Sequence, residues 1–102
     1  MKNLIRTFEK SNHFQLRQRE RGIDDYTLDK IFDPIEKKEY NKTYVVVNES
    51  FFLKKGLPLM NQKLVIVLKE KCIVTAYWIS NIQFHDLKKL SIRQNADILK
   101  MN

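Results

Sequence analysis

Two uninterrupted apolar runs constrain this chain more than anything else in it: Tyr44-Val45-Val46-Val47 and Leu64-Val65-Ile66-Val67-Leu68. Runs rich in β-branched residues and too short for a buried helix read as strands. Strands without alternation are covered on both faces, or on one face within a curved, barrel-like wall. The strand signal extends over Thr43–Leu53 (TYVVVNESFFL), Lys63–Glu70 (KLVIVLKE) and Lys71–Trp78 (KCIVTAYW). Lys69-Glu70-Lys71 is the hairpin turn between the last two, and a short strand around Lys37–Tyr40 joins the first through Asn41-Lys42. Lys54–Gln62 is read as the one real loop.

Upstream the pattern is helical. Leu4, Ile5 and Phe8 fit either a helical turn or a short strand. Ser11 or Asn12 then supplies an N-cap, and a helix runs to Arg21 and stops at Gly22. Asp24 caps a second helix, with Ile23 clipped onto Leu28. Leu28, Ile31 and Phe32 form its buried face, and Pro34 ends it. The tail after Trp78 leaves a C-terminal helix open over NADILKMN. The expected fold is therefore α+β: two N-terminal helices packed on a curved antiparallel sheet of three to four strands. At 102 residues, positions 1–102 are expected to form one domain.

Charge narrows the function classes. Lys and Arg number 19 against 12 Asp and Glu, a net charge of +7, which points to an anionic partner, with nucleic acid foremost. No apolar run approaches the ~20 residues needed to span a bilayer, and MKNLIRTFEK has no signal-peptide core. The single cysteine, Cys72, lies in an apolar run and is read as a buried thiol in a reducing compartment, so the expected location is cytoplasmic, the host's own or a target cell's after delivery. His13, His85 and Cys72 have no ligand-like spacing, and neither a metal nor another cofactor is expected. With only Gly22 and Gly56 there is no glycine-rich phosphate loop.

The densest chemistry is in His13–Ile23 (HFQLRQRERGI). His13 and Arg17 are four apart, so they share a helix face, and Arg21 continues the row. Spacing alone leaves two readings open. One is a solvated basic helix. The other is a wall of a site where an imidazole moves a proton and a guanidinium holds phosphate oxygens. On the strand KCIVTAYW, alternation places Ile73, Thr75 and Tyr77 on one face and Cys72, Val74, Ala76 and Trp78 on the other. Thr75 and Tyr77 offer hydroxyls to a phosphate, though both are also ordinary strand residues. Arg19, Arg21, Lys54 and Lys55 are candidates for phosphate or RNA contacts, and Lys88-Lys89 for solvation or steering.

The pattern H-x3-R-x2-E-R-G-I, formed by His13, Arg17, Glu20, Arg21, Gly22 and Ile23, resembles the small bacterial domain-of-unknown-function family 4258. Ile73-Val74-Thr75-Ala76-Tyr77 resembles that family's closing strand, and the likeness covers roughly residues 10–78, leaving 79–102 as a tail. The family is similar to the barnase–EndoU–colicin–RelE group of metal-independent ribonucleases, toxin domains among them. The resemblance implies a helix histidine and arginine facing a threonine on the last strand, which carries His13, Arg17 and Thr75 over as site residues; Tyr77 follows only from strand parity. The expected function is a toxin-like endoribonuclease that yields a 2′,3′-cyclic phosphate and is neutralised by an acidic antitoxin or immunity protein. The alternative is a non-catalytic basic module that binds nucleic acid or an acidic protein. A role as the antitoxin or immunity component fits the basic charge less well.

Overall fold

In a computed structural model, which describes residues 8–58 and 60–102, the two apolar runs are neighbouring central strands of a five-stranded sheet. In chain order the elements are β1 (Glu9–Lys10), α1 (Asn12–Glu20), α2 (Asp25–Phe32), β2 (Tyr40–Val47), α3 (Glu49–Lys54), β3 (Lys63–Glu70), β4 (Cys72–Ile79), α4 (Asn81–Arg93) and β5 (Asp97–Met101). The strand order is β1-β4-β3-β2-β5. β2, β3 and β4 are antiparallel neighbours, while β1 joins β4 and β5 joins β2 in parallel. The fold is α+β with a mixed sheet. The antiparallel sheet of three to four strands expected from sequence is its centre, and short parallel strands occupy both edges.

Apolar layers cover both sheet faces, which accounts for the unbroken runs. Val45, Val47, Leu64, Ile66 and Leu68 point into one core with Phe14, Leu28, Ile31, Phe32, Phe51 and Phe52 from α1, α2 and α3. Tyr44, Val46, Val65 and Val67 point into the other, closed by Leu87 and Phe84 of α4. Every apolar residue of these runs is therefore buried, whichever way it faces. The first seven residues lie outside the described residues, and with them the reading of Leu4 and Ile5; Phe8 is buried just ahead of β1.

The N-terminal helices form where local chemistry starts them. The Ser11 Oγ accepts from Phe14 N at 2.9 Å, and Asp24 Oδ1 accepts from Thr27 N at 2.8 Å. Gly22 takes φ +64°, the left-handed conformation that ends α1 and turns the chain toward α2. The hairpin at Glu70-Lys71 also forms as read, with Lys69 opposite Cys72.

Four readings are corrected. The strand over Thr43–Leu53 stops at Val47, and Glu49–Lys54 is α3. Phe51 and Phe52 are both buried in one core, which a helix permits and a strand, sending neighbours to opposite faces, does not. The segment NADILKMN is not helical: α4 ends before it, Asn95 turns at φ +52°, and Asp97–Met101 pairs along β2 from Thr43 to Val47. The tail's helix lies upstream, at Asn81–Arg93. No separate strand spans Lys37–Tyr40, because Tyr40 already belongs to β2, whose register shifts between Tyr40 and Thr43. Finally, Cys72 is only partly buried.

Ser11 is the hinge of the N-terminal half, since its hydroxyl both caps α1 and donates to Val74 O at 2.6 Å. Ser11→Ala is expected to lower the unfolding free energy by about 1–2 kcal/mol, measured by urea denaturation, with little change in the slope of the transition.

Candidate functional site

β4 lies one strand in from the sheet's edge, but β1 pairs only with Cys72 and Ile73. Beyond that point α1 runs beside the strand and takes over its free carbonyls. Ser11 N donates to Ile73 O at 3.1 Å and Ser11 Oγ to Val74 O. At the other end of the helix, Arg21 Nη1 donates to Ala76 O, and Trp78 Nε1 donates back to Arg21 O at 3.2 Å. Both ends of α1 are thus tied to carbonyls that flank Thr75.

His13 and Arg17 lie between those two ties. At 100° per residue, His13, Arg17 and Arg21 fall within a sector of about 80°. Arg21 reaches β4 from the C-terminal end of that row, Arg17 is partly buried, and Phe14 is the buried residue of the helix. His13 is exposed and makes no side-chain hydrogen bond among the described residues. Arg17 Nη1 is 2.5 Å from Glu20 Oε1, with the two side chains 33% and 48% exposed. An ion pair so exposed contributes little and exchanges readily for another anion.

Thr75 and Tyr77 lie on the α4 face of the sheet, opposite the core into which Phe14 of α1 packs. Thr75 pairs with Val67 and Tyr77 with Val65, both in the core beneath α4. Strict alternation is broken here. The register shifts where Val67 and Leu68 face Thr75 and Ile73, leaving Val74 as the extra residue. The bulge puts Ile73 with Ala76 and Trp78 in the opposite core, and Val74 on the side of Tyr77. Thr75 and Tyr77 therefore share a face as expected, but Ile73 and Val74 exchange sides.

The remaining candidates divide. Arg21 has a structural task, holding a main-chain carbonyl. Arg19 follows Arg17 by two positions, about 200° round the helix. It lines a different groove with Lys10, Gln18 and Asp25. There Asp25 accepts from Lys10 Nζ at 2.8 Å and from Gln18 Nε2 at 2.7 Å, which holds its carboxyl below the usual range. Lys54 and Lys55 close α3, which Trp78 links to the end of α1 through its ring contact with Phe52 at 5.8 Å.

Tyr77 is half-buried in a groove of about 440 Å³ lined also by Gln83, Asp86, Leu87, Leu90 and Arg93. Sequence reasoning missed this α4 wall. Its signal was Ser80-x-x-Gln83: Ser80 Oγ accepts from Gln83 N at 3.2 Å, and Gln83 Oε1 from Ser80 N at 2.8 Å, a capping box. Burial, and secondarily Tyr44, raises the Tyr77 pKa from its ordinary value of 10.0. Among the described residues no three His, Cys, Asp or Glu side chains group as metal ligands, and no helix is long and apolar enough to cross a membrane.

Comparison with known proteins finds no matching family model, no matching curated protein and no matching solved structure.

The raised Tyr77 pKa has a stability consequence. In the unfolded chain the phenol ionises near 10.0, while in the fold it resists ionisation, so stability present below that pH is lost as pH rises further. Tyr77→Phe is expected to move the alkaline unfolding midpoint upward in a pH titration followed by circular dichroism, with Tyr40, also raised by burial, accounting for a residual dependence.

Proposed function

We propose that this chain is a metal-independent endoribonuclease of the toxin type, acting in the cytoplasm where its RNA is found. The observation that carries the reading is the anchoring of α1. Ser11 and Arg21 grip the carbonyls either side of Thr75, and His13 and Arg17 occupy the helix between those grips. On this reading an imidazole and a guanidinium from α1 and two hydroxyls from β4 meet one phosphodiester across the strand's edge.

In this mechanism His13 takes the proton of a ribose 2′-OH. The 2′-oxygen bonds to the adjacent phosphorus and the bond from phosphorus to the 5′-oxygen breaks. Arg17 leaves Glu20 for the non-bridging oxygens, where the developing charge is greatest. Thr75 donates to one of those oxygens. Tyr77 gives its phenolic proton to the leaving 5′-oxygen, and the proton taken up by His13 returns to Tyr77 through solvent after the product leaves. The products are a 2′,3′-cyclic phosphate and a 5′-OH. The net charge of +7 calls for an acidic cognate protein that covers the basic face until the enzyme is needed.

A second reading has its own support. Arg17 already pairs with Glu20, and Arg21 already serves the β4 backbone, as in a basic module that only docks nucleic acid. Activity separates the two. His13→Ala and Arg17→Ala are each expected to reduce RNA cleavage by about 10²–10³-fold, while binding of an uncleavable 2′-deoxy oligonucleotide changes far less for His13→Ala. Cleavage is read by sequencing new 5′ ends carrying a hydroxyl. If both variants cleave like the parent chain, the docking reading stands alone.

A further inference from the structure

Three lysines from three different elements converge on one aromatic ring. Lys63 opens β3, Lys100 lies in β5, and Lys88 follows Phe84 by one turn of α4. Their ammonium groups stand 5.6, 5.5 and 4.9 Å from the Phe84 centroid. Each contact is favourable alone, because a cation is attracted to the ring face. Three like charges gathered about one ring also repel one another, and no carboxylate among the described residues makes an ion pair with any of them. Among the described residues only Lys63 has a further partner, Asn48 Oδ1 at 2.8 Å. Alternation places Lys63 and Lys100 on the α4 face, since Leu64 and Met101 face the other core. Lys63, Lys100 and Phe84 wall a groove of about 540 Å³ with Asn48, Ser50, Asn81 and Asn102, and Lys88 stands beside it over the same ring; the groove's Glu49 makes no ion pair with any of the three lysines. The groove lies on the opposite side of α4 from Gln83, Asp86 and Arg93, and so apart from Tyr77.

We infer that this groove is a binding site for the phosphodiester backbone of single-stranded nucleic acid, with Lys63, Lys88 and Lys100 as its cations and Phe84 as its base-stacking surface. An ammonium is a point charge that satisfies phosphate from many directions, which suits a compact, multiply charged group. The Asn81 amide and the Ser50 hydroxyl in the walls supply further donors to phosphate oxygens, while the Asn48 amide is held by Asn102 and Lys63. When the ammonium groups turn to phosphates, the ring they covered becomes free for a base, and only an unpaired base presents its face. An acidic peptide, whose carboxylates are spread along its length, matches this focused charge less well.

The test uses a fluorescent oligo-dT of about twelve nucleotides, followed by anisotropy across a salt series. The probe has no 2′-OH, so its binding is independent of whether His13 cleaves RNA. The combined variant K63Q/K88Q/K100Q is expected to bind at least about tenfold more weakly, and its log–log salt slope to fall by about 2, as three lost single-strand contacts imply. The control K69Q/K71Q/K89Q changes net charge equally, at exposed positions outside the groove, and is expected to stay within about threefold of the parent chain. The triple Lys→Arg variant, which keeps the charge, is expected to retain binding and shows that a loss is not misfolding. Equal weakening by both glutamine variants overturns the site in favour of net charge alone. Unchanged binding by the groove variant overturns it outright. A poly-glutamate of matched charge that displaces the oligonucleotide at lower concentration assigns the groove to an acidic protein instead.

Discussion

Most of the outer edge of β4 is closed by a helix rather than a strand. A strand edge left open exposes carbonyls and N–H groups that seek a partner, often another chain. Here β1 supplies two residues of pairing, and then Ser11 and Arg21 reach in from α1 to occupy the next carbonyls. Trp78 returns a hydrogen bond to the helix end. Everything proposed for the N-terminal motif depends on this contact. It fixes which side of α1 faces the sheet, with Phe14 turned into the core and both helix ends held beside the strand that carries Thr75. It also explains an arginine with no phosphate to hold, since Arg21 is a structural donor to the backbone.

The sheet's other face gives the molecule a second polar geography. α4 crosses over the central strands and divides that face. On one side lies the half-buried Tyr77, with Asp86 and Arg93. On the other lies the ring of Phe84 with its lysines. The Tyr77 side carries one carboxylate and one guanidinium, whereas the Phe84 side gathers three ammonium groups. The two proposals remain separable because the grooves share no lining residue.

Features set by near neighbours were legible in the chain. Ser11 and Asp24 cap the helices they precede because a short side-chain oxygen three residues upstream of a free N–H is placed to accept from it. The hairpin at Glu70-Lys71 and the identity of the central strands followed from equally local patterns. Features that depend on distant partners were not. Phe51 and Phe52 have strand propensity, but the core beneath them required both on one side, and a helix resulted. Ile98, Leu99 and Met101 form a strand because β2 had an unpaired edge, which residues near them in sequence do not announce. The bulge at Val74 likewise reverses the expected sides of two residues. The His13–Arg17 row was readable at helical spacing. The bond from Arg21 to Ala76 joins positions 55 apart, and the lysine cluster draws on three elements, so neither left a trace in any one stretch.

The parallel pairing of β5 with β2 bears on the order of assembly. Val47 waits for Met101, so the central sheet has one unsatisfied border until more than fifty further residues have been made. During synthesis the β2–β3–β4 meander and its first helices can collapse early, because their contacts are close in sequence. Tyr44 and Val46 stay uncovered until α4 and β5 arrive together. A nascent chain therefore carries a sticky, half-finished surface until β5 has been made, and a chaperone that shields it then would act on an intermediate, not on the finished domain.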